Sequence, residues 1–425
     1  MGKGKNLFRE VLGWLLLILI LVSGFVISQY ENWSLLFTFL LVAEIVLVII
    51  FINYFSKLQI TISRIILGCL FVFSGFVKGI DPVGTQYRIE DYFIAFGTDW
   101  AIPFALPLSV ILNATEFVLG ILLLLNVNMR ISAWLVLVMM SVFTLLTFND
   151  ATNNPVPDCG CFGDVLIISN WQTFYKNLVI DALLLIVFLT RKRIPGWFNY
   201  RLEWTLLAFA ILGFVYFEIH NIRHLPAIDF MDWKVGKKMV KENPLPLKYY
   251  LKYRNKQTGQ TKEYQSPDYP YNDSAWMANW EFVDQRVVDP NPHLHDLRAE
   301  DERGNDQTQA ILENPGYQFM LISYDLSKAK LKQMGRIRDL INYCNQAETS
   351  FVVITSSLPA DVLIFKENHD LDTDFYFADD IILKTMIRSN PGLILMKNGV
   401  ILSKWHFNDF PTAEEVKEVY PSFAK

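Results

Sequence analysis

The sequence predicts an all-α transmembrane helical bundle of about seven helices followed by an α/β domain in water. Residues 1 to about 219 are runs of Leu, Ile, Val and Phe with few charges, whereas residues 220 to 425 are rich in Asp, Glu, Lys, Asn and Pro. Seven apolar stretches are long enough to cross a bilayer, and from about Tyr317 short apolar runs alternate with segments of helical periodicity. At 425 residues the chain exceeds the usual size of one domain, so two folding units are expected. The formal charge of -5 is mild and no long basic block exists, which speaks against nucleic acid as a partner.

A helix of about 20 mostly apolar residues spans the hydrocarbon core, because a helix satisfies its own backbone polar groups there. The seven stretches lie near 11-29, 33-55, 61-78, 104-125, 130-148, 173-190 and 201-219, and the lipid bilayer is their expected partner. The first follows Lys3, Lys5 and Arg9 but lacks a small-x-small cleavage site, so it reads as an uncleaved anchor. With the N-terminus inside, Lys57, Arg64, Arg130, Arg191, Lys192, Arg193 and Arg201 join those basic residues on the cytoplasmic side, against Lys78, Arg88 and Lys176 outside. Trp14, Trp33, Trp100, Trp134, Trp171, Trp197 and Trp204 fall near helix ends, where interfacial indoles belong. An odd number of crossings places residues 220 to 425 outside the cytoplasm, together with the loops 79-103 and 149-172.

The second of those loops holds Pro155-Val156-Pro157-Asp158-Cys159-Gly160-Cys161-Phe162-Gly163-Asp164, two of the four cysteines in the chain. Outside the cytoplasm disulfides persist. Residues two apart reach disulfide geometry only where the chain bends, and Gly160 supplies that freedom. So small a ring contributes little loop entropy and is the strained, exchangeable kind. Cys159 and Cys161 are therefore the candidate catalytic residues, a redox-active dithiol; a local clip that fixes the turn and half of a metal site are the other readings. No metal is expected, because no His or further Cys stands nearby to complete a tetrahedral shell. Cys69 and Cys344 lie in apolar or helical runs and read as buried, inert thiols.

Ionisable residues inside spans are costly and often functional. Glu44, Glu116 and Asp181 sit near the middles of their helices, with Asn113 one turn from Glu116. They line a proton or quinone-head-group cavity on one reading and form interhelical hydrogen bonds on the other. All six histidines lie at or beyond residue 220, which leaves no ligand for a haem within the bilayer. His293 and His295 read as solvated side chains of a charged loop.

The run Arg64-x3-Gly68-x5-Ser74-Gly75-x2-Lys78-x2-Asp81-Pro82, then Glu116-x3-Gly120, then Cys159-Gly-Cys-Phe-Gly163 ahead of another helix resembles the DoxX-like and methylamine-utilisation MauE family of redox-associated membrane proteins, in its larger Bacteroidetes type. The resemblance covers roughly residues 60 to 190. It implies a four-helix core tied to thiol or quinone redox chemistry, with Cys159 and Cys161 as the redox pair and Arg64, Ser74, Lys78, Asp81 and Glu116 as motif positions. Arg64, Lys78, Glu116 and Asp181 are the candidate positions for a cofactor, of which a quinone is the one the resemblance suggests.

In the polar half, Tyr317-Gln-Phe-Met-Leu-Ile-Ser323 and Phe351-Val-Val-Ile354 read as buried strands around a helix at about 327-347. Leu393-Ile-Leu-Met396 and Val400-Ile-Leu402 flank Lys397-Asn-Gly399, a strong hairpin signal. The arrangement is similar to a thioredoxin-like domain, with Pro391 at the position of that family's cis-proline. It departs from the family where a C-x-x-C pair belongs, since Tyr324-Asp325-Leu326-Ser327-Lys328 stands there and no thiolate can form.

The expected organisation is two added N-terminal helices over 1-59, a DoxX/MauE-like core over 60-190, a seventh span within 191-220, a linker or small β-rich insert over 221-290 and a thioredoxin-like domain over 291-425. The expected function is thiol/disulfide exchange or electron transfer between periplasmic protein clients and the quinone pool of a bacterial inner membrane. That makes the chain a candidate thiol-disulfide oxidoreductase. The competing expectation is a non-enzymatic scaffold whose outer domain binds periplasmic partners. The oligomeric state is not specified by the sequence.

Overall fold

The computed structural model describes residues 2–29, 35–157, 159–166, 168–240, 245–246, 248–288, 295–347 and 349–420, with side chains from 8–26 and from 37 onward within these. Lys3, Lys5, Trp33, Asp158 and His293, singled out above, lie outside the described residues or side chains. The chain forms two compact units, Met1–Phe230 and Met231–Lys425.

The first unit is helical: α1 (Gly2–Gln29), α2 (Leu35–Ile50), α3 (Lys57–Ile80), α4 (Pro82–Ala95), α5 (Ala105–Leu124), α6 (Met129–Asn153), α7 (Asn170–Thr190) and α8 (Tyr200–Arg223). Among the described residues, six segments are long and apolar enough to cross a membrane, and Phe37–Ile50 adds a shorter apolar helix. The seven stretches read from hydropathy thus all become helices. Of the six spans α7 is the most buried and α8 the least. Leu183, Leu184, Ile186 and Val187 on α7 are almost fully enclosed by the bundle.

Local signals set the ends. Ser56 opens α3 and Ser169 opens α7 with reciprocal capping boxes, to Gln59 and Gln172 respectively. Helix α4 was not expected from the sequence. Asp81 caps it by accepting the Gly84 N–H at 2.8 Å, and Pro82 begins it. Helices α3 and α5 touch backbone to backbone: a Cβ added at Gly75 would meet the Phe117 nitrogen at 2.5 Å, and one at Gly120 the Val72 nitrogen at 2.5 Å.

The second unit contains β1 (Lys248–Asn255), β2 (Thr261–Gln265), α9 (Ser274–Asn279), β3 (Trp280–Val288), α10 (Thr308–Leu312), β4 (Tyr317–Ser323), α11 (Met334–Gln346), β5 (Ser350–Thr355), α12 (Pro359–His369), β6 (Asp374–Phe377), α13 (Asp380–Met386), β7 (Gly392–Lys397), β8 (Val400–His406) and α14 (Ala413–Val419). One sheet has the order β2-β1-β3 and is antiparallel; the other has the order β6-β5-β4-β7-β8. In the latter β4, β5 and β6 are parallel, while β7 runs antiparallel to β4 and to β8. The β7–β8 turn uses Asn398 and Gly399, both with positive φ, as the tight hairpin requires. The Asn390–Pro391 peptide is cis. Residues before β1 already belong to this sheet, since the Met239 N–H donates to Gly399 O at 2.7 Å and Trp233 is buried. His295 packs its ring against Trp233 at 5.7 Å.

Candidate redox site

The C-G-C loop is held at both of its helical ends. Asn154 closes α6 in the left-handed conformation, and the Asn170 amide of α7 donates to its side chain at 2.8 Å and to Val156 O at 3.0 Å. Between the cysteines Gly160 has φ +62°, and its carbonyl accepts the Gly163 N–H at 3.0 Å. A Cβ at Gly160 would approach Arg88 Cγ of α4 to 3.0 Å, so the residue is required both by its backbone conformation and by the helix beside it. The turn carries Phe162 into the bundle, where its ring meets Phe73 and the ammonium of Lys176 stands 4.5 Å from its centroid.

Beneath this loop α3 and α5 contribute three polar side chains. Lys78 Nζ donates to Glu116 Oε1 at 2.7 Å, and both are buried. Ser74 Oγ stands 2.7 Å from Glu116 Oε2 and 2.8 Å from the Cys161 carbonyl, two acceptors for one hydroxyl proton. The Asn113 amide, a turn before Glu116, donates to Lys78 O at 3.3 Å. Cys161, Phe162, Ser74, Lys78, Glu116 and Lys176 border one cavity of about 40 Å³. That is room for water, which needs about 10–15 Å³, and far below the roughly 300–1,000 Å³ of small-molecule sites.

Both thiols are free and partly exposed, and the Cys159 thiol donates to the Cys161 sulfur. That hydrogen bond, with the nearby Lys176 and Lys78 ammonium groups, overcomes burial and holds the Cys161 thiol down at about 6. The same bond and burial push Cys159 well above its ordinary value. A thiolate at Cys161 and a proton-bearing thiol at Cys159 are the division of labour that exchange requires. On the other side of the pair, Tyr92 of α4 donates to Asp150 Oδ2 at 2.6 Å. Burial, reinforced by that bond, keeps the phenol protonated.

The other sequence candidates stand elsewhere. Arg64 donates to the carbonyls of Leu123 and Leu124 and lies 4.9 Å from the Trp197 ring, at the opposite end of α3 from Lys78. Asp181 accepts from Thr144 at 2.7 Å between α6 and α7, and Glu44 accepts from Ser23 at 3.1 Å between α1 and α2. Asp81 caps α4. Of the four cofactor candidates, the structure therefore brings Lys78 and Glu116 to Cys161 and leaves Arg64 and Asp181 in separate interactions. Sequence reasoning missed Lys176, Tyr92 and Asp150. The one available signal was a lysine, Lys176, set inside the first turns of an apolar helix that follows the loop directly. Among the described residues no cluster of three or more His, Cys, Asp or Glu could hold a metal ion.

Helices α3 to α7, the C-G-C loop and the buried ion pair form one continuous stretch of chain, and that stretch has a known counterpart. Residues 56–190 match the family model of methylamine utilisation protein MauE. The MauE-like segment contains every residue assembled above, from Ser74 to Lys176, and excludes α1, α2, α8 and the second unit. Comparison with curated proteins found no match.

Proposed function

We propose that the membrane unit exchanges disulfides with the thiols of exported proteins through Cys159 and Cys161. The observation that carries this reading is the pair itself: two thiols sharing a proton above a buried Lys78–Glu116 ion pair, with Lys176 beside them. In the reducing direction the Cys161 thiolate attacks a client disulfide and one client sulfur leaves as thiolate. Cys159 then loses its proton and attacks Cys161 of the mixed disulfide, forming Cys159–Cys161 and releasing the second client sulfur. The client is reduced by two electrons and the pair oxidised by two; the reverse sequence oxidises the client. A quinone is the second class of electron partner. The 40 Å³ cavity is too small for its ring, so such a partner would meet the sulfurs from the loop side.

In this reading the loop and the second unit both face the periplasm of a bacterial inner membrane, as the loop charges suggest. The second unit serves as a thioredoxin-like client holder. Its support is the β6-β5-β4-β7-β8 order, the cis Asn390–Pro391 peptide and Asn390, whose amide donates to Asp325 O at 2.8 Å where a thiol pair would otherwise stand. The test is to trap cells with alkylating agent and sequence any mixed disulfides. Cys159→Ser should accumulate a client on Cys161. If neither cysteine ever enters a mixed disulfide, and the doubly substituted protein keeps its function, the scaffold reading replaces this one.

A further inference from the structure

Helix α8 is mostly turned outward, and its buried residues are three: Phe214, Glu218 and Asn221. Phe214 packs over Gly79 and stacks on Phe117, while the Asn221 amide donates to Gly79 O at 2.9 Å. Glu218 lies between them, beside Asn113 of α5. It is 0% exposed, stands in no ion pair among the described residues, and has the Asn113 side chain as its hydrogen-bond neighbour. Asn113, also 0% exposed, has its Oδ1 unpartnered while its amide is committed to Lys78 O. Three buried acceptor atoms therefore lie at this junction, and the second hydrogen of the Asn113 amide is the donor beside them. A single amide hydrogen does not replace a cation, so one added proton on Glu218 avoids an uncompensated carboxylate in hydrocarbon.

The charged and titratable groups on the elements packed at this junction are Lys78 on α3, Asp81 at the α3–α4 turn, Arg88, Glu90 and Asp91 on α4, Glu116 on α5, and His220 and Arg223 on α8 itself. Lys78 is already matched by Glu116. In the reduced site the Cys161 thiolate and Glu116 balance Lys78 and Lys176. Forming the disulfide removes the thiolate charge and leaves one positive charge in excess, with Lys78 still paired to Glu116 and Lys176 half-buried. Among the described residues two buried carboxyls of this unit's outer end stand outside any ion pair: Asp150, hydrogen-bonded to Tyr92, and Glu218, joined through Asn113 to the Lys78 carbonyl.

We propose that Glu218 is the proton-holding carboxyl of the dithiol site, protonated when the cysteines are reduced and ionised when they are joined. The inference rests on the exchange reaction proposed above. Its balance is complete with a client disulfide as oxidant: Cys161 thiolate, Cys159 thiol, Glu218 carboxylic acid and the client disulfide become the Cys159–Cys161 disulfide, Glu218 carboxylate and two client thiols. One client proton comes from Cys159 and the other from Glu218. Charge is conserved, and two electrons pass from the pair to the client.

The measurement is the midpoint potential of the pair in the full-length protein in nanodiscs, equilibrated against glutathione buffers from pH 7 to 8.5 and read by mass after alkylation. A two-electron couple shifts by 29.6 mV for each tenfold change, so release of two protons gives about 59 mV per pH unit and release of one about 30. The wild-type chain should follow the steeper line and Glu218→Gln, which keeps an acceptor for Asn113, the shallower one. Glu44→Gln, a buried carboxyl hydrogen-bonded to Ser23 on α1, should keep the wild-type slope. A redox difference infrared spectrum should show a carboxylic C=O band that Glu218→Gln abolishes. If the pair titrates but Glu218→Gln and wild type share one slope, this inference is wrong and the exchange reading stands. If the pair does not equilibrate with glutathione at all, the exchange reading falls and takes this with it.

Discussion

Cys161 and Cys344 are the same chemical group in opposite surroundings. Cys344 sits on α11 inside the sheet-and-helix core of the second unit, where burial alone pushes its thiol up to about 12. Cys161 is also held against protein, yet a thiol neighbour and two ammonium groups bring it down to about 6. Burial does not decide reactivity; what the surroundings offer to the charged form does. At neutral pH Cys161 therefore favours the thiolate and Cys344 stays a thiol.

The comparison is broken most severely by removing Lys78. Lys78→Met leaves Glu116 buried without its partner, and such a loss costs about 3–5 kcal/mol. It also withdraws one of the two cations from Cys161. Thermal unfolding in detergent should show the loss of stability, and Lys78→Met combined with Glu116→Leu should recover most of it. Next comes Gly75→Ala, whose methyl group would press on the Phe117 backbone; overpacking of this kind costs about 1–3 kcal/mol in the same assay. Alkylation rates sharpen the contrast at intermediate scale. Cys161 should react fast at neutral pH and slow as pH falls through about 6, because the thiolate is lost there. Lys176→Gln should move that midpoint upward, towards the ordinary thiol value. The smallest effect is expected from Cys344→Ala, which should leave client exchange at its wild-type rate.

The spans were legible because hydrocarbon imposes one rule on every residue of a crossing helix, and the stretch at 173-190 corresponds to α7 (Asn170–Thr190) within a few residues. The Asn398–Gly399 hairpin was legible for an equally local reason, since positive φ at both turn positions selects those residue types. The C-G-C pair announced itself by spacing. Helix α4 did not, because its 14 residues mix Gln86, Arg88, Glu90 and Asp91 with a few apolar side chains and look like a polar loop. The pairing of Lys78 with Glu116 joins residues 38 apart through helix packing, which no local pattern encodes. Glu218 was hidden for another reason: it lies in a run whose remaining side chains mostly face outward, and its direction depends on how α8 is rotated against α3 and α5.

The glycine contacts between α3 and α5 have an electrochemical consequence. Gly68 and Gly120 bring the two backbones so close that neither helix can slide or turn without a collision, and Lys78 and Glu116 ride on those same two rails. The cation beneath the sulfur is thereby set at a fixed height. A methyl group placed deep in the bilayer would retune the voltage of the cysteine pair without touching either cysteine.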